Sequence, residues 1–155
     1  MINHEYYKQA VHDLFRALKR EPPLIASETE VKISLRCGVD VHIQQINEHI
    51  ALSSSIGLPE KYTAEFLLEL LQANLDIDNN PTIVVSALAQ DNEIVVWGKQ
   101  LLQLSLGGNF TNFFGRFSYC TDLIYRRSTH ISHKNTKAMP RIHSLNQMAG
   151  EGKFN

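Results

Sequence analysis

Apolar residues recur along this chain with two distinct periods. Between 4 and 19, Tyr7, Ala10, Val11, Leu14, Phe15 and Leu18 follow helical spacing and make one stripe. Asn3 is placed to cap that helix, and Pro22-Pro23 ends it. The period then changes to two. Val31, Ile33 and Leu35 alternate with Lys32, Ser34 and Arg36. After a turn at Gly38, Val39, Val41 and Ile43 alternate with Asp40, His42 and Gln44. Asn47-Glu48 is the next turn. Residues 49–54 read as a weaker third strand, closed by Gly57-Leu58-Pro59.

A second helix is expected over about 60–75, up to the Asp-Ile-Asp-Asn-Asn-Pro stretch. Thr82 to Leu88 and Ile94 to Leu101 read as a strand pair joined at Gln90-Asp91-Asn92-Glu93. Gly107-Gly108-Asn109 then precedes a third helix over about 110–127. The order α-β-β-β-α-β-β-α, with short hairpin connections, predicts an α+β fold: a mainly antiparallel, twisted sheet with three helices packed on a face or at an edge.

The helices differ on a wheel. In the third, Phe110, Phe113, Phe114, Phe117, Cys120 and Ile124 span an arc of about 140°, which one sheet face can bury. In the second, Tyr62, Phe66, Leu67, Leu70 and Ala73 occupy one side, and Ala64, Leu68, Leu71 and Leu75 continue round the cylinder. That arc is about 240°. Leaving Leu68, Leu71 and Leu75 in water forgoes roughly 1.5–3 kcal/mol each. Two arrangements satisfy it. Either the helix is central and covered on two sides within one chain, or its second side packs on a second copy, most simply as a two-fold dimer. With only two other helices to cover it, the dimer is favoured.

A length of 155 residues suffices for one domain with its own core, and 43% hydrophobic with 20% charged residues is ordinary globular composition. No apolar run approaches the roughly 20 residues that cross a bilayer, so membrane insertion is not expected. The N-terminus has no basic segment followed by an apolar one, so no secretory signal is expected either. Cys37 and Cys120 lie in unlike contexts. A disulfide and two separate thiols are both open readings, and the thiols suit a reducing cytosol better.

Charge divides the chain. Residues 1–125 carry nine Lys/Arg against fifteen Asp/Glu, a balance of -6; residues 126–155 carry six against one, a balance of +5. The segment from 128 to 155 has few apolar residues, no clear period, and Pro140, Gly150 and Gly152 as breakers. It reads as a basic, disordered tail appended to a domain over 1–127.

Little in the chain suggests chemistry. No nucleophile elbow, P-loop or dinucleotide fingerprint is present. Gly107-Gly108-Asn109 resembles a phosphate-binding turn only superficially, and a capping loop explains it better. His130-x-x-His133 lacks a Cys or carboxylate at ligand spacing, and the other histidines read as solvated, so no metal is expected. Cys37 stands beside Arg36, but no base accompanies it. The expectation is a protein-binding chain with no catalytic residues and no cofactor. The alternative is a small dimeric adaptor or regulatory protein that contacts nucleic acid through its basic tail; the acidic body and scarcity of aromatics in the tail (Phe154 alone) argue against the nucleic-acid contact.

Gly57-Leu58-Pro59, followed by Phe66-Leu67-Leu68-Glu69-Leu70-Leu71-Gln72-Ala73-Asn74-Leu75, resembles the class I type III secretion chaperones of Gram-negative bacteria, in which a Leu-Pro turn leads into a helix ending Leu-Leu-x-Ala-Asn-Leu. The element order and acidic body agree, and the resemblance covers about residues 4–127. It implies a homodimeric cytoplasmic chaperone without ATPase activity. Such a chaperone holds the N-terminal region of a secreted effector extended and delivers it to the export apparatus, often through that apparatus's ATPase. Carried over by position, the dimer residues are Leu67, Leu68, Leu71 and Leu75. The effector-binding residues are Leu14, Leu18, Val31, Ile33, Val41 and Ile43, which the alternation alone reads equally well as core. Near-neutral overall charge and the long basic tail depart from the family pattern.

Overall fold

A computed structural model describes residues 2–26, 29–75 and 80–151 of the chain, with 132–151 described by backbone alone. Helix α1 (Ile2–Ala17) leads into strands β1 (Val31–Ser34), β2 (Asp40–Ile46) and β3 (His49–Gly57). Helix α2 (Ala64–Gln72) follows, its last turn tightening to a 3-10 turn at Ala73–Leu75. Strands β4 (Ile83–Leu88) and β5 (Glu93–Leu101) and helix α3 (Asn109–Glu151) complete the order. The five strands form one antiparallel sheet in the order β1-β2-β3-β5-β4. β3 is central, and the excursion through α2 lets β5 return beside it.

Alternation sorts the strands. Val31, Ile33, Val41, Ile43, Ile50, Leu52, Ile56, Val85, Ile94 and Val96 point to one face and are buried. Against that face α1 packs Tyr7, Ala10, Val11 and Leu14, and α3 packs Phe110, Phe113 and Phe117. The α3 rings meet edge to face, with centroids 6.5 and 6.4 Å apart, the arrangement aromatic quadrupoles favour. Gly98 permits this close packing. A Cβ there would lie 2.9 Å from Phe113 Cζ and 2.9 Å from the Thr82 carbonyl oxygen. The β2–β3 turn places Asn47 at φ 53°, a left-handed conformation that Asn tolerates in tight hairpins.

Two expectations change. The third strand is long, not weak: all nine residues of β3 pair with β5. Helix α3 does not stop near 127. Ser128 is buried and its hydroxyl donates to the Gly57 carbonyl at 2.9 Å, and Ile131 packs against the core. Ser128 and Ile131 continue the inward face of Ile124 at helical spacing. The backbone stays helical to Glu151, where composition predicts a disordered tail from 128. No described helix is long and apolar enough to cross a membrane.

Candidate interaction surfaces

Helix α2 begins where Thr63 caps it, its hydroxyl accepting from the Phe66 amide at 3.1 Å. The cap fixes which side chains turn inward. Phe66 and Leu70 are buried, and Leu67 packs partly against the core. Leu68, Leu71 and Leu75 point away and are 58%, 63% and 72% exposed. The four residues expected at a dimer interface therefore divide: three form an open apolar row, and Leu67 supports the core. An ion pair braces the helix. Arg127 of α3 donates to both carboxylate oxygens of Glu69, and that hydrogen bonding holds the Glu69 carboxyl below its usual range.

The two edges of the sheet are finished differently. At the β4 edge, the Asn74 side chain replaces a neighbouring strand. Its Nδ2 donates to the Val85 carbonyl at 3.0 Å and its Oδ1 accepts from the Val85 amide at 2.7 Å. One residue of the Leu-Leu-Gln-Ala-Asn-Leu segment thus closes an edge that would otherwise offer itself to another chain. At the other edge, β1 pairs only with β2. Lys32, Ser34, Asp40 and His42 crowd its outward face. Ser34 donates to Asp40 at 2.5 Å, Lys32 lies 3.2 Å from Asp40, and His42 pairs with Glu30. The Ser34 hydrogen bond, then Lys32, keeps the Asp40 carboxyl below its ordinary range.

The six residues expected to meet a client are not all surface. Leu14 of α1 and Val31, Ile33, Val41 and Ile43 of the sheet are buried in the core between them, and only Leu18 is open, at 38% exposure. Alternation reports that one strand face is apolar, but it does not say whether helices cover it. Beyond α1, Leu24 is 98% exposed. The sequence reading missed it because it stands outside any periodic run. It also missed the Tyr7 hydroxyl, whose single proton is shared between the Thr29 carbonyl at 2.9 Å and the Ile43 carbonyl at 3.1 Å. These bonds tie the segment entering β1 to the end of the helix–sheet core. Burial, with Glu30 nearby, pushes the Tyr7 phenol up to about 12.

Cys37 lies in the β1–β2 turn and Cys120 in α3, and neither is in a disulfide. Among the described residues no three His, Cys, Asp or Glu side chains gather as metal ligands. The second histidine of His130-x-x-His133 lies outside the described side chains.

No family model and no curated protein matches this sequence. Solved structures do. The chain is similar to one in the ExoT–SpcS complex from Pseudomonas aeruginosa, at TM-score 0.59 and 15% identity over 76% of this chain and 95% of that one. It is also similar to one in the complex of the Yersinia pestis type III secretion chaperone SycH with a fragment of YscM2, at TM-score 0.55 and 14% identity over 74% and 98%. A third likeness is to the HopA1–SchA chaperone–effector complex, at TM-score 0.54 and 12% identity over 76% and 94%. The chain has the fold of the class I type III secretion chaperones.

Proposed function

We propose that this chain is a cytoplasmic effector chaperone of a type III secretion system, acting as a homodimer without a catalytic step or cofactor. The observation that carries the reading is the chaperone fold combined with an open apolar row on α2 and, among the described residues, a sheet edge at β1 with no strand beyond it. The row suits a two-fold contact, because Leu68, Leu71 and Leu75 repeat along one helix face and can meet their own copies. The β1 edge suits an extended client. Its backbone groups accept strand addition without reading sequence, while the open Leu18 and Leu24, in the segment joining α1 to β1, add apolar surface for a client. The buried Val31, Ile33, Val41 and Ile43 then serve the client indirectly, by holding β1 and β2 in register. A disordered client bears the ordering cost, which keeps the complex reversible for delivery to the export apparatus or its ATPase.

The test is affinity capture of the full chain from a secretion-competent bacterium, followed by mass spectrometry. The expected result is an exported protein held through its N-terminal segment, with capture unaffected by removing ATP. Recovery of no exported protein overturns the reading.

A further inference from the structure

Strand β5 is longer than its neighbour β4. The ladder between them begins at Ile83 opposite Gly98, whereas β5 continues to Leu101 against β3. From Lys99 to Leu101, the edge of β5 facing away from β3 has no strand beside it among the described residues, although the Leu101 carbonyl accepts from the Ser105 hydroxyl at 2.8 Å. The chain enters β4 through Asn80 and Pro81, and the first turns of α3 pass close by. Between them lies an open cleft of about 540 Å³.

Its lining is unusual for so acidic a body. His49, Lys99 and Arg116 all line it, and among the described residues no Asp or Glu does. Among the described residues none of the three has an ion-pair partner. Arg116 is held in place rather than neutralised. It donates to the Pro81 carbonyl at 2.9 Å and stands 5.8 Å from the Phe113 ring centroid. One such bond leaves further guanidinium donors free. His49 lies opposite Leu101 and Ala51 opposite Lys99, so His49 and Lys99 are diagonal neighbours on the same sheet face.

The helix start nearby does not make this a phosphate cradle. Three of the first four N–H groups of α3 are already engaged: Asn109 to Leu106, Phe110 to Ser105 and Asn112 to Gly108. What remains is a strand edge flanked by unpaired basic side chains. We propose that the cleft binds an acidic peptide segment of a partner protein, its carboxylates against Lys99 and His49 on one side of the β5 edge and against Arg116 on the other. The inference stands apart from the α2 dimer and from the identity of any exported client.

Trp97 is the only tryptophan, and it lies two residues before Lys99 on the same strand face. It offers an intrinsic signal alongside anisotropy of a labelled peptide. The experiment titrates the full chain with a fluorescein-labelled eight-residue peptide alternating Glu and Thr, and with its Gln–Thr counterpart. The Glu peptide should bind saturably, roughly tenfold tighter than the Gln peptide, and weaken as salt rises. Lys99→Gln, at an exposed site, should cost about fivefold, and His49→Gln less. Arg116→Gln should cost about as much as Lys99→Gln, with circular dichroism confirming that it folds. Lys32→Gln, a cation elsewhere on the sheet, should change nothing. Equal binding of the two peptides overturns the proposal, as does unchanged binding by the Lys99→Gln and His49→Gln variants. An equal loss in Lys32→Gln also overturns it, by showing diffuse attraction. Displacement by inorganic phosphate at the peptide's own concentration overturns it in favour of a simple oxyanion site.

Discussion

Helix α1 turns Tyr7, Ala10, Val11, Leu14 and Phe15 toward the sheet and α3, and all five are buried. Helix α2 is more apolar, yet buries only Phe66 and Leu70 and leaves Leu68, Leu71 and Leu75 open. The difference is one of position. α1 packs its one stripe into the core beside α3. α2 lies at the margin by β4, where Asn74 closes the strand edge and α3 covers one flank. A marginal helix with a second apolar side is a surface built for contact. A helix whose single stripe is covered is a part of the core.

The contrast can be broken by substitution. Leu14→Ala removes side-chain volume from the centre of the core and should cost about 2–5 kcal/mol in urea unfolding. A loss below 1 kcal/mol would mean α1 is less essential than its burial states. Asn74→Ala leaves the Val85 amide and carbonyl without their partner, and should cost about 1–3 kcal/mol. Hydrogen exchange at the Val85 amide should accelerate; unchanged exchange would show that Asn74 is not what closes the β4 edge.

Tyr7→Phe deletes one hydroxyl and should cost about 1 kcal/mol. Its pH dependence has a definite sign. The folded phenol titrates at about 12 rather than 10.0, so its contribution is full below pH 10 and is lost as pH rises through 12. The wild-type chain should therefore destabilise over that window, and Tyr7→Phe should flatten the slope in alkaline melts. The smallest effect on the folded protomer belongs to Leu71→Asp, within about 0.5 kcal/mol. Light scattering should nonetheless show the mass falling from two chains to one. A core-sized loss of stability there would mean Leu71 is covered within its own chain, and the contrast between α1 and α2 would collapse.

Much of this was legible in the residues. The element order, the hairpin turns at Gly38 and Asn47, and the inward residues of α1 all follow from period and turn chemistry. So does the excess apolar arc of α2, since a wheel counts residues without needing their neighbours. The end of α3 was not legible. Ser128 holds the helix against Gly57, seventy-one residues away in sequence, and a polar serine carries no periodic signal. The role of Asn74 was hidden for the same reason: its partner, Val85, lies on another element.

By itself, the sequence determined the local conformations and which faces are apolar, because hydrogen bonding within a turn and side-chain alternation depend on near neighbours alone. Only the tertiary structure decided which apolar faces are spent. Val31, Ile33, Val41 and Ile43 are covered by helices, Leu68, Leu71 and Leu75 are not, and three basic residues from β3, β5 and α3 line one cleft. Burial and convergence are properties of how elements stack, and stacking joins residues that no local pattern connects.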